Sequence, residues 1–419
     1  MEIKQNQSVD EASNELKPGS YIIIAILALL QFTVILDFMI VSPLGDVLMK
    51  SLNITPAQFG KVVSSYAFSA AISGVITAGF ADRFDRKKLL LFFYAGFSIG
   101  TLLCGLAPTY QTLLAARIIT GLFGGVIGSI TLTIVADLFT LQQRGRVMGF
   151  IQMAWSSSQV LGIPLGILIA NHFGWHAPFM AIVMVAILIG AAIVNKVPSI
   201  NAHLSKQTGE HNPFVHLWHT VKNSNYQVGF AAIMFLAIGG FMIMPFSSTY
   251  LINNIGITNQ QLPFVFMLTG VATLFVMPLL GKLSDKVDKF KIFVVGSLVA
   301  MTMVITYTHL PMVPLWVVVL VNIVLFTGIM GRTVPAQALN TAVPDLKDRG
   351  AYMSITSALQ QFAGGLGAII AGYIVKQPAA GQPLEHFDRL GFVVAGIIFT
   401  CIFLIYRVSQ LVKSKAKPN

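Results

Sequence analysis

Two opposite charges lie deep inside apolar runs of this 419-residue chain. Asp37 sits in Leu36-Asp37-Phe38-Met39-Ile40, and Arg117 in Ala115-Ala116-Arg117-Ile118-Ile119. An ionisable group in such a run is costly and needs a partner or a task. Desolvation pushes a buried carboxylate toward its neutral form, and a nearby cation pulls it toward the charged one. A motion that changes the distance from Asp37 to Arg117 or to water would therefore make Asp37 bind and release a proton. The plainer reading is a static pair that fixes helix orientation. Arg332, about 18 residues into a later run and thus roughly 27 Å along it, is expected to snorkel to the nearer interface.

A second set of side chains can bind rather than titrate. Gln152, Trp155, Ser156 and Gln159 have i, i+3, i+4, i+7 spacing and share one helix face. At an offset of 205 residues stand Ser357, Gln360, Gln361 and Gly364, again one face. Gln31, Phe38, Phe241, Met242 and Asn322 are candidate additions at similar depth. Amides set among Phe and Met suit an uncharged or amphipathic small molecule. Helix-to-helix hydrogen bonding without a ligand is the alternative.

These residues need spans to carry them. Some 55% of residues are apolar and 10% charged, with mean hydropathy +0.76, which excludes an ordinary water-soluble enzyme. Continuous apolar runs give all-α spans near 20–45, 59–79, 89–107, 111–138, 147–171, 177–195, 226–252, 261–281, 291–309, 313–340, 350–375 and 389–410. The fold class is an integral membrane protein of twelve transmembrane helices in two pseudo-symmetric six-helix bundles, 20–195 and 226–410. A cytoplasmic tail (1–19), a cytoplasmic linker (196–225) and a second tail (411–419) complete the chain. The first residues lack the pattern of a cleaved secretory signal. Of the 27 Lys and Arg, 21 fall on the face that holds both termini, which predicts a cytoplasmic-membrane protein with both ends cytoplasmic. That bias accounts for the net charge of +11, so no nucleic-acid partner is needed. Cys104 and Cys401 are isolated in apolar runs and offer no disulfide framework or metal cluster. His216 and His219 have a helical i, i+3 spacing, but nothing joins them, and a surface turn is the preferred reading. No cofactor or metal is expected.

An internal repeat ties the halves together. Ala78-Gly79-Phe80-Ala81-Asp82-Arg83-Phe84-Asp85-Arg86-Lys87-Lys88 follows the second span, and Gly281-Lys282-Leu283-Ser284-Asp285-Lys286-Val287-Asp288-Lys289 the eighth, with both Asp positions 203 residues apart. Arg144-Gly145 and Arg349-Gly350 repeat at 205. The first loop resembles the G-x-L-A-D-R-x-G-R-K signature of the major facilitator superfamily, with Asp85 and Asp288 at its internal Gly position. Leu113 to Gly125 is similar to the family's L-x-x-x-R-x-x-Q-G motif, with Thr120 for Gln. Val160-Leu161-Gly162-Ile163-Pro164-Leu165-Gly166 resembles the antiporter signature of the drug and sugar efflux branches, including the arabinose and chloramphenicol permeases. The resemblance implies a charge network of Asp82, Arg83, Arg86 and Asp137 that latches the cytoplasmic side, and substrate binding between the halves. The alternative for that cluster is a solvated basic face.

The expected function is secondary active transport, exporting small organic compounds in exchange for protons, by a monomer in the lipid bilayer with no enzymatic activity. Uptake by proton or sodium symport is the nearest alternative. A membrane-embedded enzyme would need a convergent acid-base group that the spans lack. A nontransporting sensor would need an output domain. Small-xxx-small pairs at Gly124 and Gly128 and at Gly162 and Gly166 predict close packing within the bundles.

Overall fold

The computed structural model describes residues 18–78, 84–201, 213–345 and 348–416. The first six spans are α1 (Pro18–Ile40), α3 (Pro56–Ala78), α4 (Arg86–Gly105), α5 (Tyr110–Leu138), the pair α6 (Leu141–Ser157) and α7 (Ile163–Phe173), and α8 (Ala177–Lys196), with α2 (Gly45–Leu52) a short helix after the first. Helix α9 (Pro213–Lys222) precedes the last six. These are the pair α10 (Ser224–Ile243) and α11 (Ser247–Asn253), then α12 (Leu262–Lys286), α13 (Lys289–Thr308), α14 (Leu315–Thr341), α15 (Arg349–Ile374) and α16 (Phe387–Ala416). Eleven of the twelve are apolar enough to cross a bilayer by composition alone. The exception is α15, whose Ser and Gln residues and many glycines dilute its hydropathy.

Prolines set where spans break. A proline donates no amide hydrogen bond, and α1 stops at Ile40, ahead of Pro43, rather than running on to 45. One turn before Pro164 sits a π turn, Ser158–Gly162, which splits the fifth span while keeping its direction. Pro245 lies in the 3-10 turn Met244–Phe246 between α10 and α11. The Asp residues at the loop signature's Gly positions have a local task. Asp85 caps α4 by accepting from the Lys88 amide at 3.0 Å. Asp288 caps α13 by accepting from Phe290 at 2.8 Å and Lys291 at 3.3 Å.

Neighbour relations recur between the halves, as a duplicated unit requires. In the first bundle α5 packs on α3 and α4, and α8 on α1 and α4. In the second α14 packs on α12 and α13, and α16 on α10 and α13. The two bundles meet where α3 lies along α15 and where α12 crosses α7 and the π turn. Glycines make the first of these contacts possible: a Cβ on Gly60 would stand 2.7 Å from the Ala368 carbonyl oxygen, and one on Gly372 2.9 Å from that of Pro56. Of the glycine pairs, Gly124 faces Tyr66 and Phe97, while Gly162 and Gly166 face Leu36 and Ile40 of α1, all inside the first bundle.

Among the described residues, every hydrogen bond between the bundles lies at one end of the molecule, the end carrying Asp46. Asp46 is 2% exposed. Its carboxylate accepts from Asn253 Nδ2 of the second bundle at 2.6 Å and from Lys50 at 2.7 Å. Ser248 donates to the Ser42 carbonyl at 2.9 Å, and Asn171 to that of Asn259 at 2.8 Å. Among the described residues none of these bonds lies at the Arg86 end, so the described hydrogen bonds hold the bundles together at the Asp46 end.

Gly125 tests the packing. A Cβ there would stand 2.6 Å from Ala70 Cα, backbone that cannot yield. Gly125→Val is expected to cost about 1–3 kcal/mol and to lower the thermal unfolding midpoint of detergent-purified protein. Gly74→Ala, whose new methyl meets open space, should leave the midpoint unchanged or raise it slightly.

Candidate functional site

Arg117 on α5 and Asp37 on α1 meet inside the first bundle. Nη1 of Arg117 is 2.7 Å from Oδ2 of Asp37, and the side chains are 1% and 0% exposed. Thr101 Oγ1 of α4 donates to the other carboxylate oxygen at 3.1 Å. The guanidinium lies under the Tyr66 ring of α3, 4.6 Å from its centroid, and its Nε has no hydrogen-bond partner. Four helices therefore hold one charge pair out of water. Sequence reasoning brought Asp37 and Arg117 to similar depth but missed Thr101 and Tyr66, which are ordinary residues in ordinary apolar runs.

A chain of rings leads from this pair to the other bundle. Tyr66 touches Phe38 with centroids 5.2 Å apart, and Phe38 touches Phe241 of α10 at 5.7 Å. Phe241 in turn covers Gly364 of α15, where a Cβ would lie 3.0 Å from its ring. Residues next to the ion pair thus form part of the contact between the halves, with Phe38 the one ring between Phe241 and Tyr66.

The polar stripes are open to their surroundings. Gln152 and Trp155 are exposed, and Ser156 and Gln159 partly so. On α15 Ser357 and Gln360 are exposed and Gln361 partly. None of these seven makes a side-chain hydrogen bond among the described residues, so they are not spent on holding helices together. Other candidates are placed differently. Gln31 donates to Thr131 Oγ1 at 3.0 Å, joining α1 to α5. Met242 is wholly buried in the apolar core. Asn322 is 5% exposed and donates to the Val318 carbonyl of its own helix at 2.9 Å. Met242 and Asn322 are therefore packing residues, because their faces turn into the bundle.

Arg332 corrects the snorkelling expectation. It is 3% exposed, with Nε and Nη2 unpartnered, near Cys401 of α16 and Gly239 of α10. Its side chain turns into the bundle core, which takes it away from the interface.

At the Arg86 end, Arg86 Nε is 3.3 Å from Asp137 Oδ2, joining the start of α4 to the end of α5. Asp82 and Arg83 lie outside the described residues. Asp85 also accepts from the Ser199 hydroxyl and from the Ile200 amide at 3.0 Å, stapling the segment after α8 to α4. Partial burial raises the Asp85 carboxyl, but these hydrogen bonds outweigh it and hold the group below the ordinary carboxylate range. His216 Nε2 of α9 contacts Asp348 Oδ1 at 3.0 Å. His219 does not join it there, and no group of three metal-ligating residues occurs among the described residues.

Two predictions follow from the charges. A stranded carboxyl escapes by taking up a proton, whereas a stranded guanidinium cannot lose one. Asp37→Asn should therefore cost about 3–5 kcal/mol and lower the unfolding midpoint more than Arg117→Gln does, as read by thermal melting of purified protein. For Asp85 the depressed folded-state value means that stability is present above the ordinary 3.8 and lost as pH falls below it. The difference in midpoint between wild type and Asp85→Asn should be full at pH 7 and shrink below that value.

Known proteins share both the sequence pattern and the architecture. The chain is 27% identical to the uncharacterized MFS-type transporter YbcL of Bacillus subtilis over 384 residues, which are 91% of this chain and 95% of that one. It is 26% identical to multidrug resistance protein 2 of the same organism over 267 residues, 62% of this chain and 66% of that one. Its fold matches a bacterial homolog of the human lysosomal transporter Spinster, solved inward-facing and unoccupied, with TM-score 0.75, 16% identity and coverage of 96% and 100%. The family model for the Major Facilitator Superfamily matches residues 27–368, so this chain is a membrane transporter belonging to that superfamily.

Proposed function

We propose that this transporter exports small uncharged or amphipathic organic compounds in exchange for protons. In this reading it is a monomer in the cytoplasmic membrane with both termini inside, so the Arg86 end faces the cytoplasm and is the open end of the present state. Substrate enters between the bundles and is held by Gln152, Trp155, Ser156 and Gln159 on one side and by Ser357, Gln360 and Gln361 on the other, with Phe38 and Phe241 as the apolar roof. The single observation that carries coupling is the buried Asp37–Arg117 pair, linked through Tyr66 and Phe38 to Phe241 of the opposite bundle.

Rocking of the bundles closes the Arg86 end and breaks the bonds of Asp46 to Asn253. The same motion carries Phe241 off Phe38 and frees Tyr66 to shift over Arg117. Water reaches Asp37 as its contact with Arg117 lengthens, and the carboxyl takes up a proton from outside. Return to the present state restores the pair and releases the proton inward. On the cytoplasmic side Arg86 and Asp137, with Asp82 and Arg83, latch the closed form. The likeness to a multidrug resistance protein supports export of varied compounds. Alternating access runs in either direction, so the opposing reading is proton- or sodium-coupled uptake.

Inside-out vesicles with an acidic lumen test this. A fluorescent amphipathic dye should accumulate in vesicles carrying wild type and fall to the level of protein-free vesicles with Asp37→Asn, while dye binding to the purified variant persists. Gradient-driven accumulation unchanged in Asp37→Asn would remove Asp37 from coupling. A requirement for sodium, or accumulation only in right-side-out vesicles, would overturn proton-driven export.

A further inference from the structure

A second hollow lies apart from the space between the bundles. An apolar groove of about 290 Å³ runs between α12, α13 and α14, and every residue lining it belongs to the second bundle. Gly296 meets Gly331 backbone to backbone, where a Cβ would stand 2.5 Å from the Gly331 carbonyl carbon. At that crossing of α13 and α14 no side chain intervenes, and the hollow lies beside it. Leu283, Val287, Val295 and Val299 surround it.

Its chemistry is divided along its length. Inside, Thr327 is the polar residue, and its hydroxyl is spent on the Ile323 carbonyl of its own helix at 2.8 Å. Lys291, exposed on the first turn of α13, marks the Arg86 end. From Lys291 to Val299 the groove follows eight residues of helix, roughly 12 Å at the helical rise, against about 15 Å for half of a bilayer's hydrocarbon. It thus spans most of one leaflet, with a cation at headgroup level. Lys282 and Lys286, also exposed, stand on the last turns of α12 beside it. The nearby Asp288 carboxylate is engaged by Lys413 at 2.6 Å and by the α13 amides, so it does not neutralise Lys291.

A transport substrate does not fit here, since the groove offers no unpaired polar group inside its apolar length and only one bundle encloses it. We propose that the groove seats one anionic phospholipid of the leaflet at the Arg86 end, its acyl chain along Val295 and Val299 and its phosphate on Lys291. Basic pockets between helices on one membrane face bind acidic headgroups in this manner. The site is independent of the direction of transport.

The test uses the full chain in detergent, titrated with equal amounts of phosphatidylglycerol and phosphatidylcholine of the same chain length, with native mass spectrometry counting retained lipids. Wild type should hold one phosphatidylglycerol in preference to phosphatidylcholine. Lys291→Gln should cut that preference about fivefold, the worth of one basic residue at the surface, and Lys291→Arg should restore it. Val295→Trp, which fills the groove and leaves the lysines in place, should abolish retention of either lipid. Equal retention of the two lipids by wild type overturns the proposal, as does an unchanged preference in Lys291→Gln or a retained lipid in Val295→Trp.

Discussion

The architecture turns on the cost of putting a charge into hydrocarbon. Asp37 and Arg117 are each too expensive to bury alone, so α1 and α5 must lie side by side at that depth, with Thr101 and Tyr66 filling out the pair's surroundings. Arg117 cannot become neutral, which makes Asp37 the member able to change state. A pair of this kind is stable when closed and costly when half broken. In the proposed cycle, a motion that reaches the pair through packed rings makes the protonation of Asp37 depend on the arrangement of the two bundles.

The duplicated scaffold sharpens this point. At 205 residues beyond Asp37 and Arg117 stand Met242 and Asn322. They occupy the matching places in the second bundle, where a thioether packs in the core and an amide bonds its own helix. The second bundle has the same helix neighbours and no ion pair at these positions. The buried ion pair is thus confined to one bundle, and the other contributes Phe241 to the ring contact between them. Arg332 is a separate charge, ten residues beyond Asn322, the position that matches Arg117. Its unpartnered nitrogens leave it the least satisfied group of the second bundle.

Much of this was legible in the residues, for physical reasons. Spans are read from continuous apolar runs because each must satisfy its own backbone in lipid, and the loop repeat at 203 exposed the duplication. The role of Asp85 and Asp288 was not legible: an acid at a signature's glycine reads as a departure until its carboxylate is found capping a helix. The first span ended early ahead of Pro43, and the fifth and seventh were interrupted near Pro164 and Pro245, local effects that hydropathy does not register. Met242 and Asn322 were misplaced because depth along a helix is readable and rotation about its axis is not, unless a polar face marks it. Tyr66 and Thr101 carry no such mark, and only the fold brings them to Asp37.

In the proposed cycle the contacts at the Asp46 end are the closed gate, and their chemistry keeps it reversible. Asp46 is nearly inaccessible, yet its charge is met within its own helix by Lys50, one turn on. Asn253, Ser248 and Asn171 add bonds between the bundles, each worth a net of about 0.5–1.5 kcal/mol because water replaces them on opening. A handful of such bonds holds the closed state by a few kcal/mol, the range in which two conformations both remain populated. Had the bundles shared a buried ion pair there, opening would strand a charge on each side and cost several kcal/mol more. Keeping the ion pair inside one bundle and the exchangeable hydrogen bonds between bundles lets the gate move while the charge stays satisfied.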